Sequence, residues 1–238
     1  MTKPLTVLCL CTILYLESYG QSGASLDNVT GTQLYQAATK EQDPIFSGGE
    51  HQRFPYQTIN GIICFGSNNF TFGELVYYDR QYKNVRLLYD QLLDELVTTD
   101  ITGNALIRLF SPKVRSFHMH GADFVYLLDS GNAKAGGFWQ VLVNDEATRY
   151  KKEIKILEDK IVNHEIAPVL KVQTKYRIFL RNGDYFIPDK KAITQLFADQ
   201  KDAIHAFMRK NRRRFRKAGF ETMLTATTNY YNELSARK

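Results

Sequence analysis

An α+β protein is predicted: an antiparallel β-meander that curls into a barrel-like or sandwich domain, followed by a C-terminal helical hairpin. Three observations predict it. Across residues 59–188, short runs of β-branched, aromatic and aliphatic residues recur at close spacing with turn residues between them. After Pro188 the apolar spacing switches to three, four and seven, the period of a helix face. The 238 residues are 44% apolar and 13% aromatic, enough for a packed core rather than a disordered chain.

The elements follow in order. Lys3 and the apolar run PLTVLCLCTILYL read as an export signal, with small residues placing cleavage after Gly20. The run is short for a membrane span, which needs roughly 20 apolar residues. Residues 21–58, rich in Gly, Ser, Thr, Gln and Asn, read as an irregular arm with a short helix around Leu34 and Tyr35 and turns through DPIFSGGE. The strand signals are then ELVYY, VRLLY, ELVTT, ALIRLF, KVRSFHM, DFVYLL, FWQVLV, YKKEIKIL, KYRIFL and DYFIP. DRQYKN reads as the turn between the first two, VNHEIAPV as a loop, and Asn182-Gly183 as a two-residue hairpin turn. Eight to ten such strands in one sheet are expected to curl toward closure. Residues 189–238 carry two helical patterns. Ile193, Leu196, Phe197, Ile204, Phe207 and Met208 form one, as a single helix or two meeting near Asp199; Phe220, Met223, Leu224, Thr227, Tyr231 and Leu234 form the other.

Charge divides the chain. Residues 21–150 hold 10 Lys and Arg against 14 Asp and Glu, whereas residues 151–217 hold 18 against 8. The excess peaks in MRKNRRRFRK, where Arg209, Lys210, Arg212, Arg213, Arg214, Arg216 and Lys217 stand with no acid among them. Cations at a helix C-terminus offset its dipole, which accounts for two or three of these. The surplus points to an anionic or protein partner. Nucleic acid fits poorly with an exported chain and with the lack of any zinc-finger or RRM signature.

Other chemistry is thinly signalled. His118 and His120, two apart on a strand, are the best metal pair, but two histidines do not make a site, so no metal or other cofactor is assigned. Asp90, Asp94 and Glu95 are candidates for a carboxylate pair, although a turn with solvated acids is the simpler reading. No P-loop, G-x-G-x-x-G or G-x-S-x-G occurs. Cys64, the one cysteine outside the signal, reads as a buried thiol. The aromatics read mainly as core, with Gly136-Gly-Phe-Trp139 as an aromatic-tipped turn.

The stretches GELVYYDRQYKNVRLLYDQLLDELV (73–97), KVRSFHMHGADFVYL (113–127), GFWQVLV (137–143), KYRIFLRNGDYFIPDKKAITQLF (175–197), FMRKN (207–211) and TNYYNEL (228–234) resemble a group of exported proteins of unknown function common in Bacteroidetes-type bacteria. The resemblance covers most of the chain after the signal and carries no catalytic residue with it. It implies a periplasmic, outer-membrane-associated or extracellular location. The Arg212–Arg214 triplet is richer in Arg than that group leads one to expect. The combined expectation is an exported, non-enzymatic binding or structural module of the cell envelope, whose basic C-terminal hairpin contacts an envelope protein or an anionic glycan or lipid. An envelope hydrolase or a small-ligand carrier built on the β domain is the alternative.

Overall fold

The computed structural model describes residues 43–52, 61–129, 132–143, 145–162, 165–181 and 183–236. The expected export signal, the helix expected around Leu34 and Tyr35, His164 and Asn182 lie outside these residues.

Eleven strands form one antiparallel sheet: β1 (Gly49–Glu50), β2 (Thr71–Tyr77), β3 (Arg80–Asp90), β4 (Glu95–Thr99), β5 (Leu106–Arg108), β6 (Val114–Met119), β7 (Ala122–Asp129), β8 (Asn132–Val143), β9 (Thr148–Val162), β10 (Glu165–Leu180) and β11 (Gly183–Phe186). Their order is β1-β5-β4-β3-β2-β6-β7-β8-β9-β10-β11. The sheet is open, with β1 and β11 at its two ends, and the predicted barrel closure does not occur. One core lies along β2–β8. There Phe117 and Phe124 stack at 4.7 Å, Tyr89 meets both edge-on at 5.3–5.6 Å, and Phe138 meets Phe117 edge-on at 5.2 Å, so aromatic residues of several strands fill the interior.

Local chemistry corrects several strand boundaries. DRQYKN is mostly strand, because β3 begins at Arg80 and the turn is only Tyr78-Asp79, with φ of 48° and 59°. Two successive left-handed residues suit a tight two-residue hairpin. Gly136-Gly-Phe-Trp139 runs inside β8, and Trp139 is buried with the Arg177 guanidinium 5.1 Å from its ring centre. The described residues of VNHEIAPV are strand: Val162 ends β9 and Glu165 to Val169 open β10, and the two strands pair in unbroken register from Val162↔Glu165 to Thr148↔Phe179.

That register explains how Pro168 is tolerated in a strand. The Lys155 N–H donates to the Gln91 carbonyl and the Tyr176 carbonyl accepts from the Ile187 N–H, so the backbones of Lys155 and Tyr176 point out of the hairpin. Val172 pairs with Lys155, and backbone direction alternates along a strand, so Pro168 also faces outward, where its missing N–H breaks no bond to β9. β11 pairs with β10 only from Arg177 onward; among the described residues no strand lies against the outer edge before it.

The C-terminus is four helices rather than a hairpin of two: α1 (Lys190–Leu196), α2 (Lys201–Lys210), α3 (Arg212–Ala218) and α4 (Phe220–Ser235), with a 3₁₀ turn, Ala198–Gln200, between α1 and α2. Asp189 caps α1 by accepting from the Ala192 N–H at 2.9 Å. Asn211 ends α2, its side-chain amide donating to the Phe207 carbonyl at 2.9 Å. Gly219, at φ 88°, separates α3 from α4 in a conformation glycine adopts without strain. The basic run is therefore helical across most of its length, and α3 is held down by one buried residue, Phe215. The helices form a second core on the β9–β11 end of the sheet, where Ile193, Phe197, Ile204 and Leu224 bury against Tyr176, Ile178 and Leu180. Asn232 of α4 fastens this layer by accepting the buried Ala147 N–H at 2.9 Å.

Candidate functional site: a basic cleft on the helical layer

Helix geometry sorts the basic run into two stripes. His205 and Arg209 are four apart in α2, and Arg212 and Arg216 four apart in α3, so each pair shares a side of its own helix. Lys210, Arg213, Arg214 and Lys217 fall between them on other sides.

The first stripe lines a cleft. A cavity of about 850 Å³ lies elsewhere, on the sheet, but the cleft's larger cavity, about 830 Å³, is bounded by Lys190, Lys191 and Thr194 of α1 and by Asp202, His205, Met208, Arg209 and Arg212. A smaller cavity of about 320 Å³ shares Lys190, Met208 and Arg212 with it. This one is floored by Phe215, Phe220 and Met223 and edged by Arg216. Of the seven predicted partner-binding residues, the structure brings Arg209, Arg212 and Arg216 to the cleft; Lys210, Arg213, Arg214 and Lys217 do not line it. None of the seven makes an ion pair with another described residue. All seven are exposed. Asp202 is the one acid in the described lining, so the cleft keeps an excess of positive charge.

Lys190 and Lys191 were missed by sequence reasoning. They precede the basic run by almost twenty residues, and only the packing of α1 on α2 brings them beside Arg209 and Arg212. The spacing of four within each pair, His205 with Arg209 and Arg212 with Arg216, was the available signal for the other side of the cleft.

The remaining candidates have structural surroundings. His118, on β6, pairs through Nδ1 with the Asp123 carboxylate at 2.7 Å. His120 has left the strand for the β6–β7 turn, at φ 49°, with its ring 6.2 Å from that of Phe65. The same-face alternation of a strand therefore does not reach it. Among the described residues no group of three His, Cys, Asp or Glu side chains is arranged to hold a metal.

The acidic turn is not a set of solvated carboxylates. Asp90 is fully buried and accepts the Leu92 and Leu93 N–H groups at 2.8 and 3.0 Å, and its other oxygen lies 3.8 Å from Nε2 of buried His51. Glu95 holds His51 Nδ1 and Arg108, each at 2.9 Å. Asp94 accepts from the Tyr89 hydroxyl at 2.7 Å and from Lys152 at 2.6 Å. Beside that carboxylate and deep burial, the Tyr89 hydroxyl is held well above the usual tyrosine range, burial being the larger cause. Asp94, Glu95, Arg108, Tyr77 and Tyr78 lie on the wall of the 850 Å³ cavity.

Among the described residues no helix is long and apolar enough to cross a membrane. Compared with known proteins, the chain matches no known family, no curated protein and no solved structure.

Proposed function

We propose that this chain is an exported, non-enzymatic binding module of the bacterial cell envelope, in which the sheet is the scaffold and the helical layer presents its cations to an anionic partner. The observation that carries this reading is the cleft itself. Exposed cations from three helices converge on it, with Asp202 as the one acid among its described lining residues. Keeping so much like charge together is electrostatically costly, and an anionic partner offsets that cost. The export signal in residues 1–20 and the resemblance to exported bacterial proteins support the location.

The test is binding to an immobilised soluble polyanion, heparin, at rising salt. Wild-type protein binds, and salt weakens the binding because screening shortens the reach of exposed charges. The triple variant Arg209→Glu/Arg212→Glu/Arg216→Glu binds much more weakly. Equal binding by both would remove the reading. The 850 Å³ cavity beside Asp94 and Glu95 favours a second reading, a small-ligand carrier or hydrolase on the β domain, which a ligand screen against an Asp94→Asn variant addresses.

A further inference from the structure

Resting on that reading, we propose that the cleft takes one class of anionic partner, a lipid: its negatively charged headgroup among the cations of the larger cavity, and the first part of its hydrocarbon chain in the smaller one. The two cavities differ in chemistry and are adjacent, with three lining residues in common. Lys190, Lys191, Arg209 and Arg212 surround the wider space, whereas Phe215, Phe220 and Met223 floor the narrower. Lys190, Met208 and Arg212 belong to both, so two cations stand at the boundary between a charged chamber and an apolar recess. A polysaccharide or a free phosphate would be held by the first chamber alone. A molecule that joins an anion directly to hydrocarbon is complementary to both.

Side-chain architecture supports the same occupant. Lys and Arg lay their methylenes along apolar surface while the charged end reaches outward, so Lys190, Arg212 and Arg216 border the recess without closing its interior to hydrocarbon. Cations near an anionic leaflet strengthen peripheral binding additively, and one hydrocarbon contact adds the specificity for a lipid over a soluble anion.

The experiment is sedimentation of purified full-length protein with vesicles of phosphatidylcholine alone or with phosphatidylglycerol added, run beside the heparin assay. The protein binds the anionic vesicles and not the neutral ones. Lys190→Glu/Arg212→Glu loses about tenfold or more in both vesicle and heparin binding. Arg213→Glu/Arg214→Glu, on the other stripe, keeps vesicle binding within a few-fold. Phe220→Asp loses vesicle binding yet keeps heparin binding, and an unfolding midpoint close to wild type reports that its helical layer is intact. Should Phe220→Asp unfold the layer, competition decides instead: inorganic phosphate at constant ionic strength does not displace wild-type protein from anionic vesicles, whereas a short-chain anionic lipid does. Vesicle binding unaffected by Phe220→Asp, or displaced by phosphate alone, overturns the lipid assignment and leaves the anionic-partner reading standing. Failure to bind heparin and vesicles alike overturns both.

Discussion

Replacing Asn232 with Ala tests whether the helical layer is built into the sheet. The Asn232 side-chain oxygen accepts the Ala147 N–H at 2.9 Å, and Ala147 is 0% exposed. In the variant that buried amide loses its acceptor. An orphaned buried donor costs about 1–3 kcal/mol. Asn232 is itself 7% exposed, so truncation also leaves a small void in the second core. Together these predict a loss of about 2–3 kcal/mol, which for a domain of this size lowers the unfolding midpoint by about 4–12 °C. Urea unfolding followed by fluorescence of Trp139, the sole tryptophan and a buried one, measures it. Hydrogen exchange at the Ala147 amide should quicken in parallel. The exposed neighbour is the control: Asn229→Ala should shift stability by no more than about 0.5 kcal/mol. An Asn232→Ala variant as stable as that control would refute the reasoning and make the helices a loosely attached appendage.

Two further outcomes follow from the sheet. Glu221 of α4 meets Lys151 at 3.1 Å and accepts from the Tyr176 hydroxyl at 2.8 Å. Partial burial pushes its carboxyl up, but these bonds outweigh that and hold it below the ordinary glutamate value. A depressed carboxyl contributes its stability in full above the unfolded value, roughly 4.3, and loses it as pH falls through the folded one. The advantage of wild type over Glu221→Gln should thus shrink as the pH is lowered from about 5 to about 3, and it should be modest throughout because the side chain is half exposed and screened. A difference independent of pH would contradict the assignment. Pro168→Val restores an outward N–H on the open edge of β10, worth about 0.5–1.5 kcal/mol per ladder bond, so self-association should strengthen by about two- to tenfold in analytical ultracentrifugation. An unchanged association constant would mean that Pro168 is not what guards that edge.

Much of the fold was legible because strand chemistry is local. ELVTT coincides with β4, and the helical period after Pro188 marks α1, α2 and α4. What was not legible depends on distant partners. β1 is Gly49-Glu50, a pair with no strand pattern, and it becomes strand only by pairing with β5. VNHEIAPV reads as a break because Asn, His and Pro disfavour strands, yet the cost of Pro168 depends on which edge it faces, and the register decides that. The α3 helix reads as a connection because Phe215 alone among its residues supplies a core contact. Openness of the sheet is likewise not a local property, since closure depends on whether β1 and β11 can meet.

The site divides in the same way. Half of the cleft, Arg209, Arg212 and Arg216, was readable as charge density, and the rest required tertiary placement of Lys190 and Lys191. The acidic turn was misjudged for the converse reason. Asp90, Asp94 and Glu95 are close in sequence and were expected to be solvated, but His51, Arg108 and Lys152 reach them from distant positions and turn them into a bonded, partly buried framework.

The central claim is that the cleft cations, rather than basic charge in general, engage the partner. The most direct measurement compares two charge-matched variants in co-sedimentation with isolated bacterial envelopes. One is Arg209→Glu/Arg212→Glu/Arg216→Glu, which reverses the cleft stripe, and the other is Arg213→Glu/Arg214→Glu/Lys217→Glu, which reverses the same charge outside it. With unfolding midpoints matched to wild type, the account predicts that the first loses envelope association and the second retains most of it. Equal loss in both, or no loss in either, would contradict it.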